Sequence, residues 1–121
     1  MQYHCLIYFD PKQAFADTPD ARAVLADIGP FSARLKASGH LVAEFPLNLP
    51  SVAVTLKQRD GKVSTTDGPF METKEMLGGI VVIESRDLNE AIRIMGDCPH
   101  ARLGTVEIRP AIDFSQPRPE F

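Results

Sequence analysis

The sequence predicts an α+β fold of ferredoxin-like type, a mainly antiparallel sheet with two helices on one face. Three observations lead there. Short runs rich in aromatic and β-branched residues occur at both ends of the chain and in its middle. Two other segments, opening at Thr18 and at Asp87, space their apolar residues at the helical period. In order, the elements read strand, helix, strand, strand with hairpin partner, strand, helix, strand. With 121 residues, 44% of them hydrophobic, the chain is one compact unit that buries roughly two thirds of its unfolded surface. The domain is expected to span residues 1–113, with 114–121 as a C-terminal tail.

Tyr3 to Phe9 opens the chain as a strand and ends at Asp10-Pro11. Its alternating sets, Tyr3/Cys5/Ile7/Phe9 and His4/Leu6/Tyr8, both contain apolar groups, which predicts cover on both faces. Thr18-Pro19-Asp20 then starts a helix, with a hydroxyl N-cap, proline at the first helical position and an acid at the positive helix end. Ala21, Val24, Leu25, Ile28, Phe31 and Leu35 form its apolar stripe. Pro30 lacks a backbone donor, so a kink or restart is expected there, and Ser38-Gly39 stops the helix. A second strand covers His40 to Phe45 and a third Val52 to Lys57. Asp60-Gly61 marks a tight hairpin returning through Val63 to Thr66. A buried strand runs from Ile80 to Glu84. The second helix starts at Asp87, where Asp87 and Glu90 can form a capping box, and presents Leu88, Ala91, Ile92 and Met95. Cys98-Pro99 ends it, and Thr105 to Arg109 is the last strand. Gln116 to Phe121 has little core potential and is expected to be loose or docked on a neighbour. Strands apolar on both sides need cover on the helix-free face, and a second copy supplies it, so a homodimer with facing sheets is expected.

Composition narrows the function. There are 13 basic and 16 acidic residues, a net charge of -3 and a pI near 5.5, which leaves no electrostatic footprint for direct nucleic-acid binding. The basic cluster Lys57, Arg59 and Lys62 flanks a turn and reads as a solvated hairpin tip. Met1 to Cys5 has neither the basic start nor the apolar core of a signal peptide, and Ile80 to Ile83 is too short to cross a bilayer. The expectation is a soluble, cytoplasmic protein without a membrane partner. Cys5 and Cys98 are expected as free thiols. His4, His40 and His100 are scattered, so no metal site and no cofactor is expected.

The densest chemistry lies in Thr66-Asp67-Gly68-Pro69-Phe70-Met71-Glu72-Thr73-Lys74-Glu75. Gly68 before Pro69 suits a positive-φ turn. Asp67 invites an Asx-turn, but Pro69 has no N–H. The carboxylate therefore reaches another backbone donor or stays available to a ligand. If the stretch is extended, Glu72 and Lys74 share one side. If it is helical, Met71 sits beside Lys74 and Glu75. In the functional reading, Asp67, Glu72 and Lys74 line the mouth of a cleft as catalytic candidates. The carboxylates would serve as general base or polar anchor, and the ammonium would hold an anionic or enolate-like group. In the structural reading they are surface charges worth about 0–1 kcal/mol per pair. His4 and Tyr8 on the first strand and Glu107 and Arg109 on the last could form a polar wall of a ligand pocket. Phe31 and Phe70 are the aromatic candidates for ligand contact. Cys98 follows a helix C-terminus, away from any thiol-activating dipole, and reads as structural.

The decapeptide resembles the DGPF branch of the YCII-related proteins. So do Tyr3-His4-Cys5-Leu6-Ile7-Tyr8, Leu77-Gly78-Gly79, Cys98-Pro99 and Gly104-Thr105-Val106-Glu107-Ile108-Arg109-Pro110. The likeness spans essentially the whole chain and implies a dimeric α/β-barrel architecture. Some other YCII-like proteins carry a proposed catalytic pair, a histidine in the first helix and an aspartate before a proline after the second. Laid over this sequence, those places hold Phe31 and Cys98, so that dyad does not carry over. The resemblance also implies an association with sigma factors of the extracytoplasmic-function type. The leading expectation is binding of a small aromatic or carboxylated metabolite in a cleft of the homodimer, with acid/base chemistry. Its rival is a regulatory or protein-interaction module acting with such a sigma factor.

Overall fold

The computed structural model describes residues 1–118 and Glu120. The strands are β1 (Gln2–Phe9), β2 (Leu41–Pro46), β3 (Val54–Arg59), β4 (Lys62–Asp67), β5 (Met76–Glu84) and β6 (Gly104–Pro110). The helices are α1 (Pro11–Ala14), α2 (Pro19–Ala37) and α3 (Leu88–Met95), with 3₁₀ turns at Pro50–Val52 and Pro99–Arg102. Four strands form an antiparallel sheet in the order β2-β5-β1-β6. α2 crosses between β1 and β2, and α3 between β5 and β6. Residues of both helices join one buried cluster with the same face of the sheet, which is the ferredoxin-like arrangement.

The pleat explains which side chains meet. Tyr3 pairs with Ile83 and Cys5 with Val81, and all four are buried beneath Phe31, Leu35, Ala91 and Met95. The alternate set points the other way: His4 is exposed, and Leu6 and Tyr8 are half-buried. β1 is therefore covered on one face, and the cover expected on its other face is incomplete.

Local chemistry sets the helix ends. Thr18 Oγ1 accepts from the Ala21 N–H at 3.2 Å, and Asp87 Oδ1 from the Glu90 N–H at 2.8 Å. The capping box is shifted, because Glu90 Oε1 accepts from the Arg86 N–H at 3.1 Å rather than from Asp87. The buried Glu90 carboxylate also pairs with Arg86 at 2.7 Å. Leu88 and Ile92, expected in the apolar stripe, are exposed, and Ile94 takes their place in the core. α2 runs without a restart through Pro30. β5 begins at Met76 rather than Ile80, and the α1 turn after Asp10 had no expected counterpart.

Asp60 (φ 52°) and Gly61 (φ 74°) make the expected tight turn between β3 and β4. This hairpin is a separate two-stranded sheet, not part of the main one. The expected tail falls partly on Pro119 and Phe121, which lie outside the described residues. Among the described residues, no helix is long and apolar enough to cross a membrane, and no group of three or more His, Cys, Asp or Glu side chains could hold a metal ion.

Candidate functional site

Three glycines shape the ground from which a site is built. β1 and β5 shift register between Ile7 and Tyr8, leaving Gly78 as the extra residue of a bulge. A side chain at Gly78 would meet Phe9 Cε1 at 2.1 Å, so the missing Cβ lets the Phe9 ring lie across β5. A Cβ at Gly79 would sit 3.3 Å from the Phe45 carbonyl of β2. A Cβ at Gly104 would lie 2.2 Å from the Tyr8 carbonyl and 3.1 Å from that of His100. That glycine allows the Pro99–Arg102 turn to fold back against β1. The His100 imidazole then stacks on Phe9, with ring centroids 5.5 Å apart and 11° between planes. Phe15, beyond α1, closes on the Phe9 ring edge-on at 5.8 Å.

Between this platform and α2 lies a cleft of about 520 Å³. Ile7, Phe9 and Val81 form its floor, and Ile28, Phe31 and Leu35 of α2 form its wall. The lining is apolar except at the ends. At one end are Cys98 and His100, and along β2 stands Glu44, whose carboxylate accepts from Ser32 Oγ at 2.7 Å. The Phe9 ring lies over Gly78 and Glu44 pairs with Val81, which separates His100 from Glu44 by on the order of 10 Å along β5.

The electrostatics follow from burial. Desolvation pushes the His100 imidazole below its ordinary 6.5, so the ring is neutral at pH 7. Burial pushes the Cys98 thiol up, and the His100 and Ala101 backbone amides only partly offset that shift. Cys98 is therefore a thiol rather than a thiolate. Among the described residues, Glu44 is the sole permanently charged group lining the cleft, and no lysine or arginine faces it. An apolar slot with a neutral imidazole at one end can hold a flat molecule and accept a proton or hydrogen bond from it.

The sequence-predicted residues fall into three places. Phe31 lines the cleft, as does Cys98, so the two positions that hold the proposed dyad elsewhere in the YCII-like proteins come together here. His4, Tyr8 and Arg109 lie on the opposite, helix-free face. There Tyr8 donates to Glu107 at 3.5 Å, Arg109 pairs with Glu107 at 3.0 Å, and His4 faces Arg109 across the β1–β6 ladder. They form a wall, and none of the three lines the cleft. Asp67, at the end of β4, and Glu72, Lys74 and Phe70, in the loop after it, are exposed, Phe70 at 78%, and none lines the cleft. The side chains of Asp67, Glu72 and Lys74 make no hydrogen bond or ion pair among the described residues. Gly68 takes the positive φ expected of it, 94°, and the loop is neither a strand nor a helical turn. Its end is tied to β6, where Thr105 Oγ1 donates to Glu75 at 3.0 Å.

Sequence reasoning missed Phe9, Glu44, Ser32 and His100 as site residues. Their signal was the pairing of Phe31 with Cys98, since His100 lies two residues beyond Cys98 and shares its turn. A family model for the YCII-related domain matches residues 1–115. An uncharacterized protein of Rhizobium meliloti (strain 1021) is 32% identical over 114 residues, which is 91% of each chain. Among solved structures, a 5-chloro-2-hydroxyhydroquinone dehydrochlorinase from Burkholderia phenoliruptrix AC1100, in complex with 2,5-dihydroxybenzoquinone, is 15% identical. It superposes with a TM-score of 0.48 over 95% of this chain and 97% of that one.

Proposed function

The chain belongs to the YCII-related family, and on that premise we propose that it binds a small, flat, mainly apolar metabolite in the cleft between α2 and the sheet. One observation carries this reading: a 520 Å³ space lined by Phe9, Phe31 and Val81, with a neutral imidazole stacked at one end. That volume is in the range of small-molecule sites, and an apolar lining with few polar groups is their usual character. Of the two ligand types expected from the sequence, the aromatic one fits better. A carboxylate would meet Glu44 and find no cation among the lining residues described. His100 is the group suited to acid/base work, being uncharged and able to accept a proton at neutral pH. We further place two copies with their helix-free faces together, covering Leu6 and Ile80 and enclosing the Tyr8–Glu107–Arg109 wall. Asp67, Glu72 and Lys74 are then candidates for the rim of that chamber.

A thermal-shift screen of aromatic metabolites separates these sites. Ile28 is half-buried on the cleft wall, so Ile28→Trp fills the space without removing core contacts. The expected result is a ligand response lost in Ile28→Trp and kept in Asp67→Ala. The reverse pattern would move the site to the exposed decapeptide.

A second reading, a protein-interaction module acting with an extracytoplasmic-function sigma factor, draws on the β3–β4 hairpin. Its Val54, Leu56 and Val63 are 62%, 63% and 60% exposed on one face. An isolated two-stranded hairpin is marginal in water, so such a face gains from a partner. Pull-down of a sigma factor by the wild type but not by Leu56→Lys would favour this reading.

A further inference from the structure

We propose that the cleft selects a ring bearing a hydroxyl group and that His100 is the residue that reads it. The inference rests on the cleft reading above and names its ligand class. The His100 ring nitrogens take no hydrogen bond among the described residues, although one face of the ring is held by Phe9. Phe9 covers one face of the imidazole and the cleft beside it is mainly apolar, so a ligand that closes over it must either satisfy a ring nitrogen or strip it of water. A hydroxyl can pair with either ring nitrogen, donating to the bare one or accepting from the N–H, whereas a methoxy oxygen serves only the N–H and a bare ring edge serves neither. Because the desolvated nitrogen is left unpaired in the second case, discrimination against the analogue lacking the donor exceeds what the lost contact alone would give.

The geometry makes the reading directional. Stacking holds the imidazole plane at 11° to Phe9, Gly78 leaves room for the Phe9 ring, and Gly104 lets the His100 backbone approach that of Tyr8. His100, held against Phe9, lines the cleft beside that ring. Phe9 is a positioning residue, and His100 is the one that touches the ligand. At the far end, the Glu44 carboxylate held by Ser32 accepts hydrogen bonds and repels anions. A hydroxyl therefore suits both ends, and the ligand class is an uncharged hydroxylated ring rather than an aromatic acid.

The test uses phenol, anisole and benzoate as probes in NMR titrations of the ¹⁵N-labelled protein. Binding in the cleft is read from the amides of Gly78, Gly79 and Cys98. In the wild type, phenol is expected to bind roughly three- to tenfold more tightly than anisole, with benzoate weakest. His100→Phe, which keeps the stack on Phe9, should bring phenol and anisole to equal affinity. His100→Gln, which retains an acceptor oxygen, should restore part of the preference and guards against a folding defect in the phenylalanine variant. Equal affinity of phenol and anisole for the wild type, with both perturbing the cleft amides, overturns the role of His100 while leaving the site in place. Cleft amides untouched by all three probes overturn the site itself. A phenol preference that survives in both variants assigns the reading to another residue and overturns the proposal.

Discussion

At the scale of single residues the account turns on a stack of three, Gly78, Phe9 and His100. A methyl at Gly78 would fall 2.1 Å from one Phe9 ring carbon and 2.5 Å from the next, so the ring must leave its place above β5. Gly78→Ala is expected to destabilise the fold by about 1–3 kcal/mol, the range of overpacked cores. Urea unfolding measures it, and combining Gly78→Ala with Phe9→Leu should recover part of the loss. Burial gives the site two pH signatures. The folded pKa of His100 lies below its ordinary 6.5, so the unfolded chain protonates first. Its stability contribution is complete above that value and is lost as pH falls through it toward the folded pKa. Unfolding midpoints between pH 7.5 and 5.5 should therefore decline, and His100→Gln should flatten the decline. Cys5 has the opposite sense. Burial, with Cys98 nearby, pushes it from 9.0 to about 11. Stability should thus fall as pH rises through that interval, and less steeply in Cys5→Ala once its constant packing deficit is subtracted.

At the scale of elements, the caps and turns follow from local chemistry, and they were legible for that reason. Thr18, Asp87 and Asp60-Gly61 do what their side chains and φ preferences dictate. Thr18→Ala is expected to cost about 1 kcal/mol, read as a shift in urea midpoint at unchanged slope. Where reading by period failed, a tertiary contact had overruled it. α3 turns Ala91, Ile94 and Met95 inward and buries Glu90, leaving Leu88 and Ile92 of the expected stripe exposed. The Arg86 N–H and guanidinium make that burial tolerable and hold the Glu90 carboxyl below its ordinary range. The start of β5 was obscured in the same way. Gly78 and Gly79 look like a strand break, yet they are there because Phe9 and the Phe45 carbonyl approach so closely.

At the scale of the whole molecule, the order of strand and helix periods was enough to give the antiparallel sheet and the common helix face. The site was far less legible. It gathers residues from β1, α2, β2, β5 and the turn after α3, and no window of sequence shows them as neighbours. The decapeptide drew attention because its charges are adjacent in sequence, and its Asp67, Glu72 and Lys74 are exposed outside the cleft. Only Phe31, of the residues singled out for ligand contact, stands in the cleft. The uncovered sheet face is the other molecular-scale consequence. A dimer is expected by light scattering, and Leu6→Glu, at the centre of that face, should shift it to monomer. The claim on which most depends is that ligands enter beneath α2. Crystals of the protein soaked with a library of small hydroxylated aromatic compounds test it most directly. The account predicts rings seated between Phe9, Phe31 and Val81 with a hydroxyl at His100. Rings found only around Asp67, Glu72 and Lys74, with the space under α2 empty, would contradict it.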